Sequence, residues 1–197
     1  GRVLQRFGAD PCPASWTEAL PAVQHLLSAG LADAHVDVRV TALMEIGKLW
    51  SWAPGRTLLK AEEDVLAEWK QEFVTPVVRR LGDREAGSRR AAVACLGYLP
   101  VDGAAAHAVS YVDDPSSPEV RKQVLVSFAA RPALLGEEVV LRHMYDNEAG
   151  IPQVAEMVLK TRGLNQEQIS LGSMIFHPKP EIRASVIPLL KNRTDID

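Results

Sequence analysis

Cysteine, aromatic residues and long apolar runs are scarce in this chain of 197 residues. The two cysteines, Cys12 and Cys95, form no CxxC unit, which excludes a disulfide framework. No apolar stretch approaches the roughly 18–20 residues that a membrane span needs. The net charge of −3 gives no global basic signal for nucleic acid. We therefore expect a soluble, cytoplasmic protein without a membrane span, with removal of an N-terminal targeting segment left open.

Motifs for catalysis and for metal binding are also missing. The five histidines are scattered along the chain, and no HExxH, GxSxG or Cys/His cluster occurs. The glycines lack the spacing of a loop that cradles phosphate. We therefore predict no catalytic residue, no metal site and no cofactor, and we expect a protein that is not an enzyme.

What the sequence does contain is a repeat. Five stretches align when each is anchored on one position, and the steps between the anchors are 50, 32, 31 and 31 residues. A fixed period of this kind indicates supersecondary units that stack on one another. The anchors are Arg39, Arg89, Arg121, Pro152 and Arg183.

Each anchor lies near the start of a predicted helix, the second of a pair. Apolar residues recur there at three- and four-residue steps, which predicts one buried stripe per helix. Pro118, Pro152 and Pro180 stand where such helices are predicted to begin. The fixed φ of proline suits the first turn of a helix. The second helices are predicted at about 38–50, 88–99, 119–131, 151–162 and 180–193. A first helix precedes each, so that helix pairs fill nearly the whole chain and the fold class is all-α.

Aspartates mark the turn between the two helices of a pair. They stand about six positions before the anchor, where Asp accepts backbone hydrogen bonds and starts the next helix. This set is Asp33, Asp83 and Asp146, with Asp114 one position further from its anchor. We expect the arginine anchors to bind turn aspartates or carbonyls of a neighbouring unit, which makes both sets structural. These anchors are Arg39, Arg89, Arg121 and Arg183.

The pattern resembles HEAT repeats, especially the short bacterial kind described as HEAT-like or PBS-lyase-like. An apolar residue, Asp and a short turn precede V-R-x-x-A-x-x-x-L-G, most clearly in "DVRVTALMEIGKL" and "GSRRAAVACLGYL". The match is weakest at "GIPQVAEMVLK", where Pro152 replaces the arginine. The resemblance implies a right-handed α-α superhelix, an armadillo-like α-solenoid. Residues 1–197 then form a single repeat domain, with units at about 15–50, 70–100, 101–131, 134–163 and 164–193.

A helical insertion at about 51–69 accounts for the long first step. The stretch "LLKAEEDVLAEW" predicts an additional amphipathic helix, and Trp50 and Trp52 stand at its start. Two interpretations stay open. The tryptophans form an aromatic patch that binds a protein, or the insertion folds back over the end or edge of the array.

The predicted second helices carry twelve basic and four acidic residues. Most of these cations are anchors or lie in last turns, where they complement the helix dipole. Arg90 and Lys122 have neither explanation, and they are candidate partner contacts together with Trp50 and Trp52. Second helices line the concave face of HEAT arrays, so the resemblance implies a scaffold that binds a protein partner there, such as an acidic segment.

Two alternative functions remain at this stage. A nucleic-acid-binding protein similar to the HEAT-like alkylpurine DNA glycosylases would need more surplus cations and more stacking aromatics than the second helices offer. A protein similar to bilin lyases has only the repeat in its favour. The sequence favours the non-enzymatic protein-binding scaffold over both.

Overall fold

All regular elements of the computed structural model are helices in the residues that it describes, which are 16–51, 60–99 and 102–191. The prediction of an all-α fold is therefore confirmed. Short 3-10 turns also occur, at Ser110–Asp113 and at His143–Tyr145. The helices are α1 Trp16–Leu31, α2 Val36–Ser51, α3 Lys60–Arg80, α4 Ala86–Gly97, α5 Asp102–Val109, α6 Pro118–Ser127, α7 Glu137–Arg142, α8 Ile151–Thr161, α9 Gln166–Ile175 and α10 Pro180–Leu190.

Local sequence signals set several helix starts. A proline lies in the first turn of α6, α8 and α10, as the sequence predicts. Ser117 caps α6, because its Oγ accepts a hydrogen bond from the N–H of Val120 at 3.3 Å. Asn165 and Gln168 cap α9 reciprocally through side chain and backbone. Across the described ranges, no helix is both long enough and apolar enough to cross a membrane.

Helix α3 differs from the sequence-based expectation. The predicted insertion helix and the first helix of the second unit form one continuous helix, Lys60–Arg80. This segment contains no glycine, and its one proline, Pro76, does not interrupt it. Nothing in the sequence therefore ends the insertion helix before the next one begins. Residues 52–59, which include Trp52, lie outside the described residues.

The helices pack in two rows. In the first row α2, α4, α6 and α8 lie side by side, each against the next. In the second row α1, α3 and α5 follow one another, and α9 packs against α7. Each first helix, or the 3-10 turn that follows it, also contacts the second helix of its own pair. Helix α10 packs on α9 and makes little or no contact with α8, so the last pair joins the others through α9.

The core lies between the two rows. The predicted apolar stripes of α2, α4, α6 and α8 are buried, with Phe128 the largest fully buried side chain. Val38 differs from this pattern, because it lies at the start of the first helix of its row and stays 40% exposed. In α10 the stripe predicted at Ile182, Val186 and Leu190 is buried only at Val186, so the prediction is wrong at the other two positions. The confirmed stripe residues are Ala42, Ile46, Leu49, Ala92, Cys95, Leu96, Leu99, Val120, Val124, Phe128, Ile151, Ala155, Val158 and Leu159.

Helices α4 and α6 lie close together at Gly97. A Cβ added to Gly97 would lie 2.8 Å from the Cβ of Ser127 and 3.4 Å from its carbonyl oxygen. Carbon atoms do not pack that tightly, so any side chain here forces the helices apart. Gly103, in α5, is the contrasting case, because a Cβ there would meet nothing within 4 Å.

The same substitution at these two glycines should therefore have opposite effects. Gly97→Ala should lower the free energy of unfolding by about 1–2 kcal/mol, because the added methyl group overpacks the α4–α6 contact. Gly103→Ala should raise it by up to about 1 kcal/mol, because alanine restricts the unfolded chain. Urea denaturation of both variants measures the two changes. Equal effects at the two positions would contradict the close approach at Gly97.

Candidate functional site

The arginine anchors and turn aspartates join successive helix pairs, and we call this set of ion pairs the forward ladder. In each rung the arginine of one pair reaches the turn aspartate of the next. In the first rung Nε of Arg39 lies 2.7 Å from Oδ2 of Asp83, and Nη2 lies 2.9 Å from Oδ1. The rungs are Arg39–Asp83, Arg89–Asp114 and Arg121–Asp146.

Both partners of a rung are also bound to their own turns. Nη1 of Arg39 donates to the carbonyl oxygens of Asp33 and Ala34, both at 2.9 Å. Oδ1 of Asp83 accepts the N–H of Glu85 at 3.0 Å. Burial of the Asp83 carboxylate opposes its ionisation, but the hydrogen bonds from Arg39 and Glu85 outweigh burial and lower its pKa to about 2. The rungs are therefore fully paired, as buried charges require.

The forward ladder stops at the fourth pair because both partners change. Pro152 occupies the arginine position, and His177 occupies the aspartate position of the following turn. Nδ1 of His177 accepts the N–H of Lys179 at 3.0 Å, and its ring meets Tyr145 edge to face with centroids 4.7 Å apart. The histidine thus keeps the turn of an aspartate without placing an unpaired carboxylate there.

A second set of arginines, the backward ladder, reaches the preceding pair. Nη1 of Arg131 donates to the carbonyl oxygen of Leu99 at 3.0 Å, and Nε of Arg162 donates to that of Ala129 at 2.8 Å. Each acceptor lies just past the C-terminus of the preceding second helix. Sequence reasoning assigned these arginines only to helix dipoles, although their 31-residue spacing was the available signal.

Arg90 and Lys122 are the two cations for which the sequence suggested no structural role, and they differ in exposure and in contacts. Arg90 is exposed and forms no hydrogen bond or ion pair with the part of the chain that the structure describes. Lys122 is half-buried: its Nζ lies 3.5 Å from Oε1 of Glu119, and a Cβ on Gly150 would lie 3.2 Å from Nζ. Arg90 and Lys122 each follow their anchor by one residue. They therefore occupy equivalent positions in the first turns of the neighbouring helices α4 and α6.

Trp50, the one of the two predicted aromatic contacts that the structure describes, does not join this pair. Trp50 is buried in the core with only 4% of its surface exposed. A buried ring reaches a partner only if the core opens, so this burial argues against Trp50 as a contact. Trp52 belongs to residues 52–59, outside the described residues.

Exposed apolar side chains, which sequence reasoning missed, occur on the same row of helices as Arg90. Met44, Val126 and Met157 each stand five residues after an anchor position, and Tyr98 stands nine after Arg89. These four side chains are between 48% and 57% exposed. Residues at offsets one, five and nine share one side of a helix. We call this side of the first row the row face, and it comprises Met44, Arg90, Tyr98, Lys122, Val126 and Met157.

Other lysines near the row face are neutralised by carboxylates on their own helices. Nζ of Lys48 lies 2.6 Å from Oε1 of Glu45. Nζ of Lys160 lies 2.7 Å from Oε1 of Glu156, and this hydrogen bond lowers the pKa of Glu156. The row face is thus mainly apolar, with Arg90 as a cation that has no acidic partner among the described residues.

Cys95, the cysteine within the described residues, is buried. Burial raises the pKa of the Cys95 thiol, which disfavours the nucleophilic thiolate. Within the described ranges no group of three or more His, Cys, Asp or Glu side chains could hold a metal ion. A scan against protein-family models finds no match, and a search of curated proteins finds none either.

Proposed function

We propose that the chain is a HEAT-like α-solenoid whose helix pairs follow a right-handed superhelix. Three observations support the proposal: the repeat period of about 31 residues, the two rows of helices, and ladders that join the first four pairs. In such arrays stacked units expose one continuous surface made by the second helices. On this proposal the row face lies on the concave side.

The proposed function is that of a non-enzymatic, cytoplasmic scaffold that binds a protein partner on the row face. The observation that carries it is Arg90, an exposed guanidinium without an acidic partner among the described residues, on the same row face as the half-exposed ring of Tyr98. Arginine and tyrosine are the residue types that dominate binding energy at protein interfaces. Arg89 is paired within the forward ladder, whereas its neighbour Arg90 makes no such contact among the described residues.

The chemistry of the row face defines the partner. A carboxylate of the partner would pair with Arg90 in the bidentate geometry that guanidinium favours. Apolar side chains of the partner would cover Val126 and Met157, which lie on the adjoining helices of the row. The proposed ligand is therefore a segment that combines acidic and apolar residues. Nucleic acid fits less well, because Lys48, Lys122 and Lys160 each pair with a glutamate.

Selection from a random peptide-display library tests this function with a defined probe. Enriched peptides should combine acidic and apolar residues, and the Arg90→Glu variant should bind them at least about tenfold more weakly, because two like charges then face each other. Binding should also weaken as salt is raised.

Arg142→Glu is the matched control, because Arg142 is an exposed arginine on α7, in the other row. It should retain the affinity of the wild type. Enrichment of basic peptides, or equal losses in both variants, would refute the row face as the site. Salt-sensitive retention of the wild type on DNA, lost in Arg90→Glu, would favour the nucleic-acid alternative instead.

A further inference from the structure

The forward ladder leaves one donor at one end of the array and one acceptor at the other. Arg183 repeats the first half of a rung, because its Nη1 donates to the carbonyl oxygens of His177 at 2.8 Å and of Pro178 at 3.0 Å. In the rungs of Arg39 and Arg121 the same arrangement turns Nε and Nη2 toward the next aspartate, and in the rung of Arg89 Nε donates to Asp114 while Nη2 donates to Oγ of Ser116. Within the described residues, Nε and Nη2 of Arg183 meet no acceptor.

The opposite end supplies the complementary half. Oδ1 of Asp33 accepts the N–H of His35 at 2.7 Å, as Oδ1 of Asp83 accepts that of Glu85. In the part of the chain that the structure describes, no arginine reaches the Asp33 carboxylate. Asp33 therefore has the turn geometry of a rung acceptor without its donor.

Apolar surface accompanies both half-rungs. On α10, beyond Arg183, Ile187 is 68% exposed and Leu189 is 49% exposed. Near Asp33, Leu26 on α1 is 69% exposed, and Val38 on α2 is also partly exposed. At the complete rungs, by contrast, second helices pack side by side and bury their stripes. The two ends are thus complementary in charge, and both offer apolar contact.

We propose that two copies of the chain associate head to tail, with the α9–α10 end of one copy on the α1–α2 end of the other. Arg183 of one copy then pairs with Asp33 of the next and completes a rung of the forward ladder. The occupant of the α10 surface is a second copy, because the chain itself carries the acceptor that matches its free donor. The contact is heterologous, so each copy keeps one free end and further copies add in the same way.

Sedimentation velocity over a concentration series tests the proposal. The wild type should shift from monomer to larger species as its concentration rises. Arg183→Asp and Asp33→Arg should each lower the association constant by more than about tenfold, because each places two like charges at the junction. Arg142→Asp, a charge reversal on α7, should associate like the wild type.

Mixing the two single variants gives the sharpest readout. Arg183→Asp keeps the acceptor end and Asp33→Arg keeps the donor end, so the mixture should associate where neither variant does so alone. The unchanged ends pair as in the wild type, and the two exchanged ends again bring opposite charges together. The double variant, which carries both exchanges, should associate again. Asp33→Asn keeps a side-chain oxygen that can accept the hydrogen bond of the turn. It is measured beside Asp33→Arg, so that a loss of association is distinguished from a folding defect. A wild type that stays monomeric throughout, or a mixture that forms no dimer, would overturn the proposal.

Discussion

Arg89→Ala is expected to lower the free energy of unfolding by about 3–5 kcal/mol, which is the range for removing one partner of a buried ion pair. Nε of Arg89 lies 3.0 Å from Oδ2 of Asp114, and Nη1 donates to the carbonyl oxygens of Asp83 and Arg84 at 3.0 Å. The alanine variant leaves these buried acceptors, including the Asp114 carboxylate, without their donor. The melting temperature should fall by on the order of 10 °C.

Arg90→Ala is the matched control, since the two arginines are adjacent on α4 and differ in what they contact. Its melting temperature should stay within about 2 °C of the wild type, as for most exposed substitutions. Calorimetry or circular dichroism measures both variants. An unchanged melt for Arg89→Ala would mean that the forward ladder does not hold the pairs together.

The second large effect is destabilisation by acid. Burial opposes ionisation of the ladder aspartates, but hydrogen bonds from arginines and turn groups outweigh it and lower the pKa values of Asp83, Asp114 and Asp146. A carboxylate with a lower pKa in the folded state stabilises the fold fully above its unfolded pKa. That contribution disappears as the pH falls through the folded pKa. For Asp83, the pKa falls from 3.8 to about 2, so about 2 kcal/mol should disappear between about pH 5 and pH 2.

Urea denaturation at a series of pH values checks this prediction. The free energy of unfolding of the wild type should decline steeply below about pH 4, with all three rungs contributing in the same direction. Asp83→Asn should decline less, by about 2 kcal/mol over the same range. Gly97→Ala, which removes no titrating group, should keep the slope of the wild type. Parallel curves for the wild type and Asp83→Asn would contradict a stabilising rung at Asp83.

Periodic features were predictable from the sequence because they depend on local geometry. The spacing of Ala155, Val158 and Leu159 identifies the buried side of α8, since a helix returns to the same side every three or four residues. The prolines at first turns and the all-α class follow from equally local rules. These features can be predicted from residues that are close in the sequence, without knowledge of distant contacts.

Long-range features could not be predicted in the same way. The sequence indicated that the arginine anchors bind turn aspartates or carbonyls of a neighbouring unit, but not which acceptor each one reaches; Arg39 pairs with Asp83, 44 positions away across the insertion. The burial of Trp50 depends on how helices from separate pairs come together, which no local pattern records. The change at Pro152 becomes intelligible only beside His177, because these residues replace a donor and its acceptor. The apolar residues of the row face belong to no motif, so nothing in the sequence signals that they are exposed.

The two ladders also determine where the array can bend. Between the second and third pairs, Arg89 ties one end of the contact and Arg131 ties the other, so rotation of one pair against the next would break charged hydrogen bonds at both. Among the described residues, the junction before the last pair has no forward rung, and α10 makes little or no contact with α8. We therefore expect rotation between helix pairs to be easiest at this junction. The last pair would then turn relative to the first four, which move together.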